Sequence, residues 1–393
     1  GPVTWRYSAD DGAFVHVPNA YDDYSYAFVT ADLGAGQRVA TASQAAGPAK
    51  ANITEFQDYQ VYDVDNYNLI NAGRTYYADI LDGNASLTKN FSFPNAKTNR
   101  VSQVRVNLAG RNFQPASFEL YVNDILMKTF SVNVTGSGSD RPFSYAVSGS
   151  VVGSVSNNGV KVTLKHVGNS MSTSLGYVDY VSVNVWRTLK FDGAEMCFRN
   201  PEASDESQIY NYQLSGASTN VQVWNVTDSV HPFIVEGQLS GSVFSFKTFG
   251  NPKNEFIAFN GSSYHVPSLI GSVENQNLHG DHDYDYLMVV YPDFLEQAER
   301  LKSVHAEYDP DLRIKIVTPQ AIYNEFSCGA QDITAIRDYC RMLYHDTTPL
   351  RYLLLFGDGA WDNRMNSSDW AGYDPDDFLL CYESENSFSH VNC

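Results

Sequence analysis

Five segments between residues 101 and 186 alternate apolar and polar side chains with a period of two. Such alternation buries one face of each strand and leaves the other face in water. Turns rich in Gly, Asn and Ser separate the segments, as in antiparallel sandwiches. The pattern predicts a β-sandwich or jelly-roll-like domain at residues 72–187, with strands at 101–108, 117–122, 126–132, 160–165 and 180–186.

The sequence on either side of this domain is also typical of β structure. Residues 1–71 contain short apolar and aromatic stretches and predict an irregular β region, with an Ala-rich polar loop at 40–51. Residues 188–280 predict a small β module whose packing partner the pattern does not specify. Its expected strands lie at 222–226, 233–235 and 243–246.

The pattern changes near Asp281, where continuous apolar runs replace the alternation. The run at 286–291 is typical of a strand that is covered on both faces in a parallel sheet. We expect two further strands, at 313–317 and 351–356, and two helices that begin at the capping residues Asp293 and Asp332. This order of strands and helices predicts a parallel α/β unit at residues 281–393.

The expected fold is therefore multidomain, with β-sandwich or jelly-roll-like amino-terminal domains followed by an α/β unit. Three strands and two helices leave sheet edges that a complete α/β domain would cover. We therefore expect residues 281–393 to be the first part of a longer domain.

Composition narrows the class of protein. Acidic residues outnumber basic ones by 45 to 26, and the formal charge of −19 repels phosphate backbones, so we expect no nucleic-acid partner. The 26 Tyr and 22 Phe, with only 18% charged residues, favour an exported β-rich protein. The five widely spaced cysteines include no C-x-x-C pair, so they predict neither a disulfide framework nor a zinc site.

Asp358 is the best-placed polar residue for binding, because it directly follows the third predicted strand of the α/β unit. Ligands of parallel sheets gather at the carboxyl ends of the strands. Gly357 and Gly359 allow a tight turn and a close approach of another group. Two interpretations stay open: Asp358 binds a ligand, or its carboxylate accepts hydrogen bonds from a neighbouring loop.

Two clusters have the composition of metal sites. Carboxylates that could bind calcium occur at Asp369, Asp374, Asp376 and Asp377, but their spacing fits no EF-hand loop, and a solvated acidic loop is the alternative. Imidazoles and carboxylates that suit zinc occur together at His279, Asp281, His282, Asp283 and Asp285, in the predicted linker. We predict no cofactor and leave calcium open.

Nucleophilic catalysis by a thiol needs a base close to it and a group that orients the base. His390 and Cys393 are close in sequence, but nothing downstream fixes their geometry, so we do not predict a catalytic dyad there. Cys328 and Cys340 are expected to be small structural residues. The sequence therefore assigns no catalytic residue.

Several motifs carry a resemblance to a known family. They include Tyr286-Leu-Met-Val-Val, Ile322-Tyr-Asn-Glu-Phe-Ser-Cys-Gly, Leu353-Leu-Leu-Phe-Gly-Asp-Gly-Ala-Trp-Asp and Tyr382-Glu-Ser-Glu-Asn-Ser. Residues 285–386 resemble the opening half of the peptidase domain of the gingipain-type cysteine peptidases, which has a caspase-like α/β fold. The motifs are most similar to those of the sortases of the type IX secretion system, and Leu175-Gly-Tyr-Val-Asp-Tyr and Val223-Trp-Asn-Val-Thr-Asp extend the resemblance upstream.

The resemblance implies a bacterial cell-surface enzyme at the outer membrane. Such a sortase removes carboxy-terminal sorting domains from exported cargo and attaches the cargo to anionic lipopolysaccharide, together with other type IX secretion components. The catalytic His of the family, in a Gly-His-Gly setting, and its nucleophilic Cys are expected downstream of Cys393. The chain by itself is accordingly expected to be inactive.

Two other functions stay open at this point. One is a secreted adhesin or carbohydrate-binding module, whose exposed aromatic side chains would stack on sugars. The other is an ordinary secreted gingipain-like protease with broad cleavage specificity. Cargo identity and oligomeric state do not follow from the sequence.

Overall fold

The structure, a computed structural model, describes residues 3–31, 33–136, 142–156, 158–168, 174–262 and 264–389. Strands dominate these ranges up to residue 260, and helices occur after it. None of the described helices is long and apolar enough to cross a membrane.

The first β-sandwich contains most of the strands that precede residue 189. Its two sheets have the strand orders β10-β9-β12-β7 and β11-β8-β13-β5, with β6 paired to β13. The strands before residue 189 are β1 (Val3–Ser8), β2 (Ala13–Pro18), β3 (Ala40–Ala42), β4 (Ala51–Ile53), β5 (Glu55–Asp63), β6 (Asp79–Asp82), β7 (Ser86–Ser92), β8 (Ser102–Arg111), β9 (Ala116–Val122), β10 (Ile125–Val132), β11 (Tyr145–Gly153), β12 (Gly159–Val167) and β13 (Leu175–Thr188).

The period-two alternation forms the core of this sandwich. The apolar residues of β8, β9, β12 and β13 face inward, and many of them are fully buried. The five strands predicted between residues 101 and 186 are confirmed, with ends that differ by up to five residues. β13 is longer than predicted because it pairs with β5, β6 and β8 along its length.

A second β-sandwich follows, and two of its strands come from the amino-terminal region. Strands β3 and β4 add to its sheets in parallel pairing, so the segment expected as a loop at 40–51 begins with a strand. The strand orders in its two sheets are β14-β20-β16-β17-β3 and β18-β19-β15-β4. The additional strands are β14 (Glu195–Phe198), β15 (Ile209–Ser215), β16 (Gln222–Asn225), β17 (Phe233–Val235), β18 (Gln238–Ser240), β19 (Val243–Phe249) and β20 (Phe256–Phe259).

The α/β unit has a three-stranded parallel sheet with the order β22-β21-β23. Helix α1 packs on one face of the sheet, and helices α2 and α3 pack on the other. The elements are β21 (Tyr286–Val290), α1 (Leu295–Tyr308), β22 (Ile314–Val317), α2 (Pro319–Phe326), α3 (Ile333–Tyr344) and β23 (Tyr352–Phe356). The predicted fold class, β-sandwich domains followed by a parallel α/β unit, is confirmed.

The helix starts confirm one predicted cap and correct another. Asp332 caps α3, because its carboxylate accepts a hydrogen bond of 2.7 Å from Thr334 N. The prediction for Asp293 is wrong, since this residue lies in a 3₁₀ turn at Pro292–Phe294 and α1 starts without a side-chain cap. Helix α2, which the sequence analysis missed, begins at Pro319 after Thr318, whose hydroxyl accepts from Ala321 N.

Candidate functional site

The carboxyl ends of the three parallel strands lie at one edge of the α/β unit. The chain leaves the sheet there at Tyr291, Thr318 and Gly357. Both glycines are closely packed, because a Cβ at Gly357 would lie 3.0 Å from Leu379 Cγ and one at Gly359 would lie 2.3 Å from Cys381 Sγ. The returning chain at 379–381 is therefore held close against the end of β23.

Asp358 lies at this edge, as predicted from its position after the third strand. Its side chain is exposed, and one carboxylate oxygen accepts a 2.8 Å hydrogen bond from Gly359 N. The amide of Leu379 reaches the backbone carbonyl of Asp358 at 2.8 Å and not the side chain. The second carboxylate oxygen has no hydrogen-bond partner among the described residues, so the carboxylate can still bind a cationic or hydrogen-bond-donating group.

Further carboxylates surround the same edge. Tyr291 donates a 3.0 Å hydrogen bond to Asp377, and this contact raises the pKa of Tyr291 to about 12. Gln331 Nε2 donates to Asp376, while Asp22 from the amino-terminal segment accepts a 2.9 Å hydrogen bond from Gln331 N. Burial and the neighbouring Asp374 raise the pKa of Asp376. The edge is consequently an acidic rim that favours positively charged groups.

The possible calcium ligands 369, 374, 376 and 377 are spread along this rim. Asp374 accepts from Asp376 N at 3.0 Å, whereas Asp376 and Asp377 bond to side chains of different elements. Asp369 lies in a separate 3₁₀ turn, at Ser368–Trp370. Among the described residues, no group of three His, Cys, Asp or Glu side chains is arranged to hold a metal ion.

The His/Asp cluster in the linker is likewise divided among separate partners. His279 Nδ1 lies 2.7 Å from Glu325, and His282 Nδ1 lies 3.3 Å from Asp346. Asp281 accepts from Lys315 and Tyr339, and Asp285 accepts from Arg313 at 2.9 Å. These polar contacts hold the start of the α/β unit against its helices and strands.

Three of the four described thiols, those of Cys197, Cys340 and Cys381, have raised pKa values, which do not favour a nucleophile. Burial raises the pKa of Cys340 to about 11. Burial, with nearby Asp358 and Glu383, also raises the pKa of Cys381, and burial raises that of Cys197. No imidazole in the described ranges is hydrogen-bonded to a thiol, and His390 and Cys393 lie outside these ranges.

Sequence reasoning missed a buried polar cluster behind the rim. Asp362 and Glu383 are 1% and 5% exposed, and Tyr76 of the first β-sandwich is 2% exposed beside them. Asn363 donates a 2.7 Å hydrogen bond to Glu383. A single Glu in a polar loop carries no pattern from which its burial could be predicted.

The carboxyl-terminal part of the chain matches a known family of peptidases. Residues 279–392 match the model of Peptidase family C25. The match covers the parallel sheet, its three helices and the acidic rim. It confirms the resemblance of this region to the gingipain-type cysteine peptidases.

The fold is similar to that of PorU over nearly the whole chain. The crystal structure of dimeric latent PorU from Porphyromonas gingivalis superposes with a TM-score of 0.82 at 23% sequence identity. The similarity covers 97% of this chain and 37% of the PorU chain, so this chain spans little more than a third of that protein's length. Both β-sandwiches and the α/β unit are therefore shared with PorU.

Two carbohydrate-binding modules are among the other similar structures. A family 36 carbohydrate-binding module in complex with calcium and xylotriose has a TM-score of 0.22 at 13% identity, over 33% of this chain and 99% of its own. A family 35 module from Clostridium thermocellum has a TM-score of 0.22 at 14% identity, over 33% of this chain and 95% of its own. No curated protein sequence matches the chain.

Proposed function

We propose that this chain is the amino-terminal part of a cell-surface cysteine peptidase that acts as a type IX secretion sortase. The observation that carries the proposal is the match to PorU over 97% of the chain with a TM-score of 0.82. The match of residues 279–392 to Peptidase family C25 supports the same reaction class. The substrate would be exported cargo with a carboxy-terminal sorting domain.

In this proposal the chain provides the scaffold for catalysis, and the catalytic His and Cys lie downstream of Cys393. The thiolate would attack the scissile carbonyl, with the oxyanion stabilised by hydrogen-bond donors. The leaving amine would take a proton, and an amine of anionic lipopolysaccharide would then displace the thiol from the thioester. The raised pKa values of Cys340 and Cys381 support a role outside this chemistry.

Asp358 is the residue of this chain that we propose for substrate binding. It lies at the carboxyl end of the third parallel strand, where ligands of parallel sheets bind, and its side chain is exposed. Its free carboxylate oxygen suits a backbone amide or a cationic side chain of the cargo. In the full-length enzyme, Asp358→Asn is expected to raise KM more than it lowers kcat.

The two β-sandwiches would hold the peptidase unit at the outer membrane through other components of the secretion system. The formal charge of −19 favours partners with basic surfaces. Anionic lipopolysaccharide would accordingly be bound by residues outside this acidic surface.

Covalent labelling with a thiol-reactive peptide electrophile tests the proposal. The peptide would carry a sorting-domain junction, and the chain would be compared with a form extended to its natural carboxy-terminus, each with Cys393→Ser as a control. We expect labelling of the extended form alone, unchanged by Cys393→Ser. Mass spectrometry of the labelled peptide locates the nucleophile.

The other outcomes have distinct meanings. If the short chain is labelled and Cys393→Ser abolishes the labelling, the active site lies at Cys393. That result would overturn the proposal that the catalytic residues lie downstream of this chain. Labelling of neither form would favour the glycan-binding alternative, which a glycan array with the same chain would examine. Cleavage of unrelated peptides by the extended form would indicate a broad gingipain-like protease.

A further inference from the structure

The α/β unit is fastened to the first β-sandwich by a continuous contact along residues 383–388. Arg74 N donates to Ser384 O, and Thr75 N donates to Ser387 Oγ, each at 3.0 Å. Glu383 N donates to the hydroxyl of Tyr21, which itself packs in the core of the α/β unit. Hydrogen bonds donated by backbone amides therefore fix the position of the α/β unit relative to the first β-sandwich.

Glu383 is buried at the centre of this contact with half of its carboxyl unsatisfied. Its Oε1 accepts from the side chain of Asn363 at 2.7 Å, but Oε2 has no hydrogen-bond partner among the described residues. Asp362 accepts from Ser367 N at 2.7 Å through one oxygen and leaves the other without a partner. The buried hydroxyl of Tyr76 faces both carboxyls and interacts mainly with Asp362, although it makes no hydrogen bond within 3.5 Å in the described ranges.

Two adjacent buried carboxylates would require a compensating charge. The buried cation nearby is Arg364, whose side chain is 12% exposed. Its guanidinium donates to Asp23 at 2.9 Å and to Asp65, so it is already paired on both sides. A proton on one carboxyl removes the excess charge, and it also supplies a donor for one of the unpartnered oxygens.

We propose that docking of the α/β unit onto the first β-sandwich is coupled to one proton, so that Glu383 enters the contact as a neutral acid and its deprotonation loosens the contact. The titratable groups that face Glu383 are Tyr21, Tyr76, Asp362, Arg364 and Cys381.

The electrostatics of the contact agree with this assignment. Burial raises the pKa of Glu383 from 4.5 to about 7, although Asn363 and Arg364 act in the opposite direction. Burial also raises the pKa of Asp65, which Arg364 lowers only in part. The contact is thus strongest below pH 4.5, where Glu383 is protonated whether docked or free, and it weakens as the pH rises through about 7.

Amide hydrogen exchange on the whole chain measures this coupling. The amides of Arg74 and Thr75 donate across the contact, so their protection factors report docking. Corrected for intrinsic exchange rates, these factors are expected to fall about tenfold between pH 6 and pH 8 in the unsubstituted chain. Amides of β8 and β13 report whether the first β-sandwich stays folded.

Glu383→Gln tests the identity of the group, because glutamine has the shape of the neutral acid and keeps the acceptor for Asn363. We expect its protection at Arg74 and Thr75 to vary less than about twofold between pH 6 and pH 8. Glu385→Gln is the matched control, since Glu385 lies on the same segment with a side chain that is 80% exposed. Because Glu385 pairs with the Arg74 side chain across the contact, Glu385→Gln should lower protection by the same factor at pH 6 and pH 8 and keep the roughly tenfold pH dependence.

A second variant keeps the test decisive if Glu383→Gln does not fold. Asp362→Asn removes the neighbouring charge that raises the pKa of Glu383, so the loss of protection should shift to lower pH. A deprotonated Glu383 would then have a neutral neighbour, and the drop in protection should also be smaller. The proposal is overturned if the unsubstituted chain is equally protected at pH 6 and pH 8, if Glu383→Gln keeps the full pH dependence, or if Glu385→Gln abolishes it.

Discussion

The first β-sandwich and the α/β unit contain similar apolar strands, but the two regions bury these strands from solvent to different extents. In the sandwich, Leu120 on β9 is fully buried between two sheets. In the α/β unit, Leu287 and Val289 on the central strand β21 are also fully buried. Their cross-strand neighbours on β23, Leu353 and Leu355, are each 48% exposed.

The difference lies in what covers each strand and not in strand composition. Helices α2 and α3 pack over β21 and β22, whereas Leu353 and Leu355 of the edge strand β23 lie outside this core, and no further strand pairs with β23 among the described residues. The amount of hydrophobic stabilisation follows the area removed from water. Equal substitutions in the two regions should consequently have unequal effects.

The largest expected effect sets Leu120→Ala against Leu353→Ala. Leu120→Ala leaves a cavity in a closed core and should lower the free energy of unfolding by about 2–5 kcal/mol. Leu353→Ala removes a half-exposed side chain, and its cost should be under about 1 kcal/mol. Urea unfolding monitored by circular dichroism measures both, and equal losses would contradict the comparison.

The same contrast explains what the sequence could predict about the fold. Alternation in the sandwich is local and repeated, so five strands and their inward faces followed from it. The strand at 40–42 was missed because it is short and joins the second β-sandwich only through pairing with β17. Helix α2 has eight residues and starts at a proline, which gave too short a pattern to recognise.

The site was predictable only where position in the fold determines exposure. Asp358 follows a strand of a parallel sheet, and that rule placed it at the carboxyl edge. Glu383 lies in an irregular polar loop and is buried only because Tyr21 and Tyr76 of the amino-terminal half pack over it. Contacts between residues more than 300 positions apart leave no signal in one sequence.

The contact between the two regions supplies the next prediction. Gly73 has φ of +76°, and a Cβ there would lie 2.4 Å from the carbonyl oxygen of Asn386. Gly83 has φ of +59° and open space around it, so Gly83→Ala should cost only about 1 kcal/mol of backbone strain. Gly73→Ala should cost roughly 1–3 kcal/mol more, because the clash forces the α/β unit away.

Thermal unfolding and amide exchange at Arg74 distinguish the two glycine variants. Gly73→Ala should reduce protection of the Arg74 amide, whereas Gly83→Ala should leave it unchanged. Equal loss of protection in the two variants would mean that backbone strain at the substituted glycine, and not the contact with residues 384–387, determines the protection of the Arg74 amide.

Within the α/β unit, Glu325 should have an effect of intermediate size. Partial burial alone would raise its pKa, but hydrogen bonds from Leu278 N, Gln276 and His279 outweigh burial and lower the pKa to about 2. The stability from this carboxylate is present above the ordinary pKa of 4.5 and is lost as the pH falls through about 2. At pH 7, Glu325→Gln should therefore cost about 1–3 kcal/mol.

Unfolding at pH 7 and again at pH 2 checks this assignment. The difference between Glu325→Gln and the unsubstituted chain should shrink at the lower pH, because Glu325 is then about half protonated in the folded chain and almost fully protonated in the unfolded chain. Glu299→Gln on the exposed side of α1 is the control and should stay within about 0.5 kcal/mol at either pH. A difference that persists at pH 2 would show that the carboxylate charge is not responsible.

The smallest effect on stability, and the most direct probe of the open edge, is expected from Leu355→Lys. Because Leu355 is 48% exposed on an edge strand, lysine should change the free energy of unfolding by no more than about 0.5 kcal/mol. The free edge and its apolar side chains favour pairing between chains, and an added charge opposes such pairing. Sedimentation at increasing concentration should show self-association of the unsubstituted chain and less self-association of Leu355→Lys. Tyr308→Lys adds the same charge on α1 and should leave self-association unchanged. An equal decrease in both variants would mean that net charge, and not pairing at β23, controls the association.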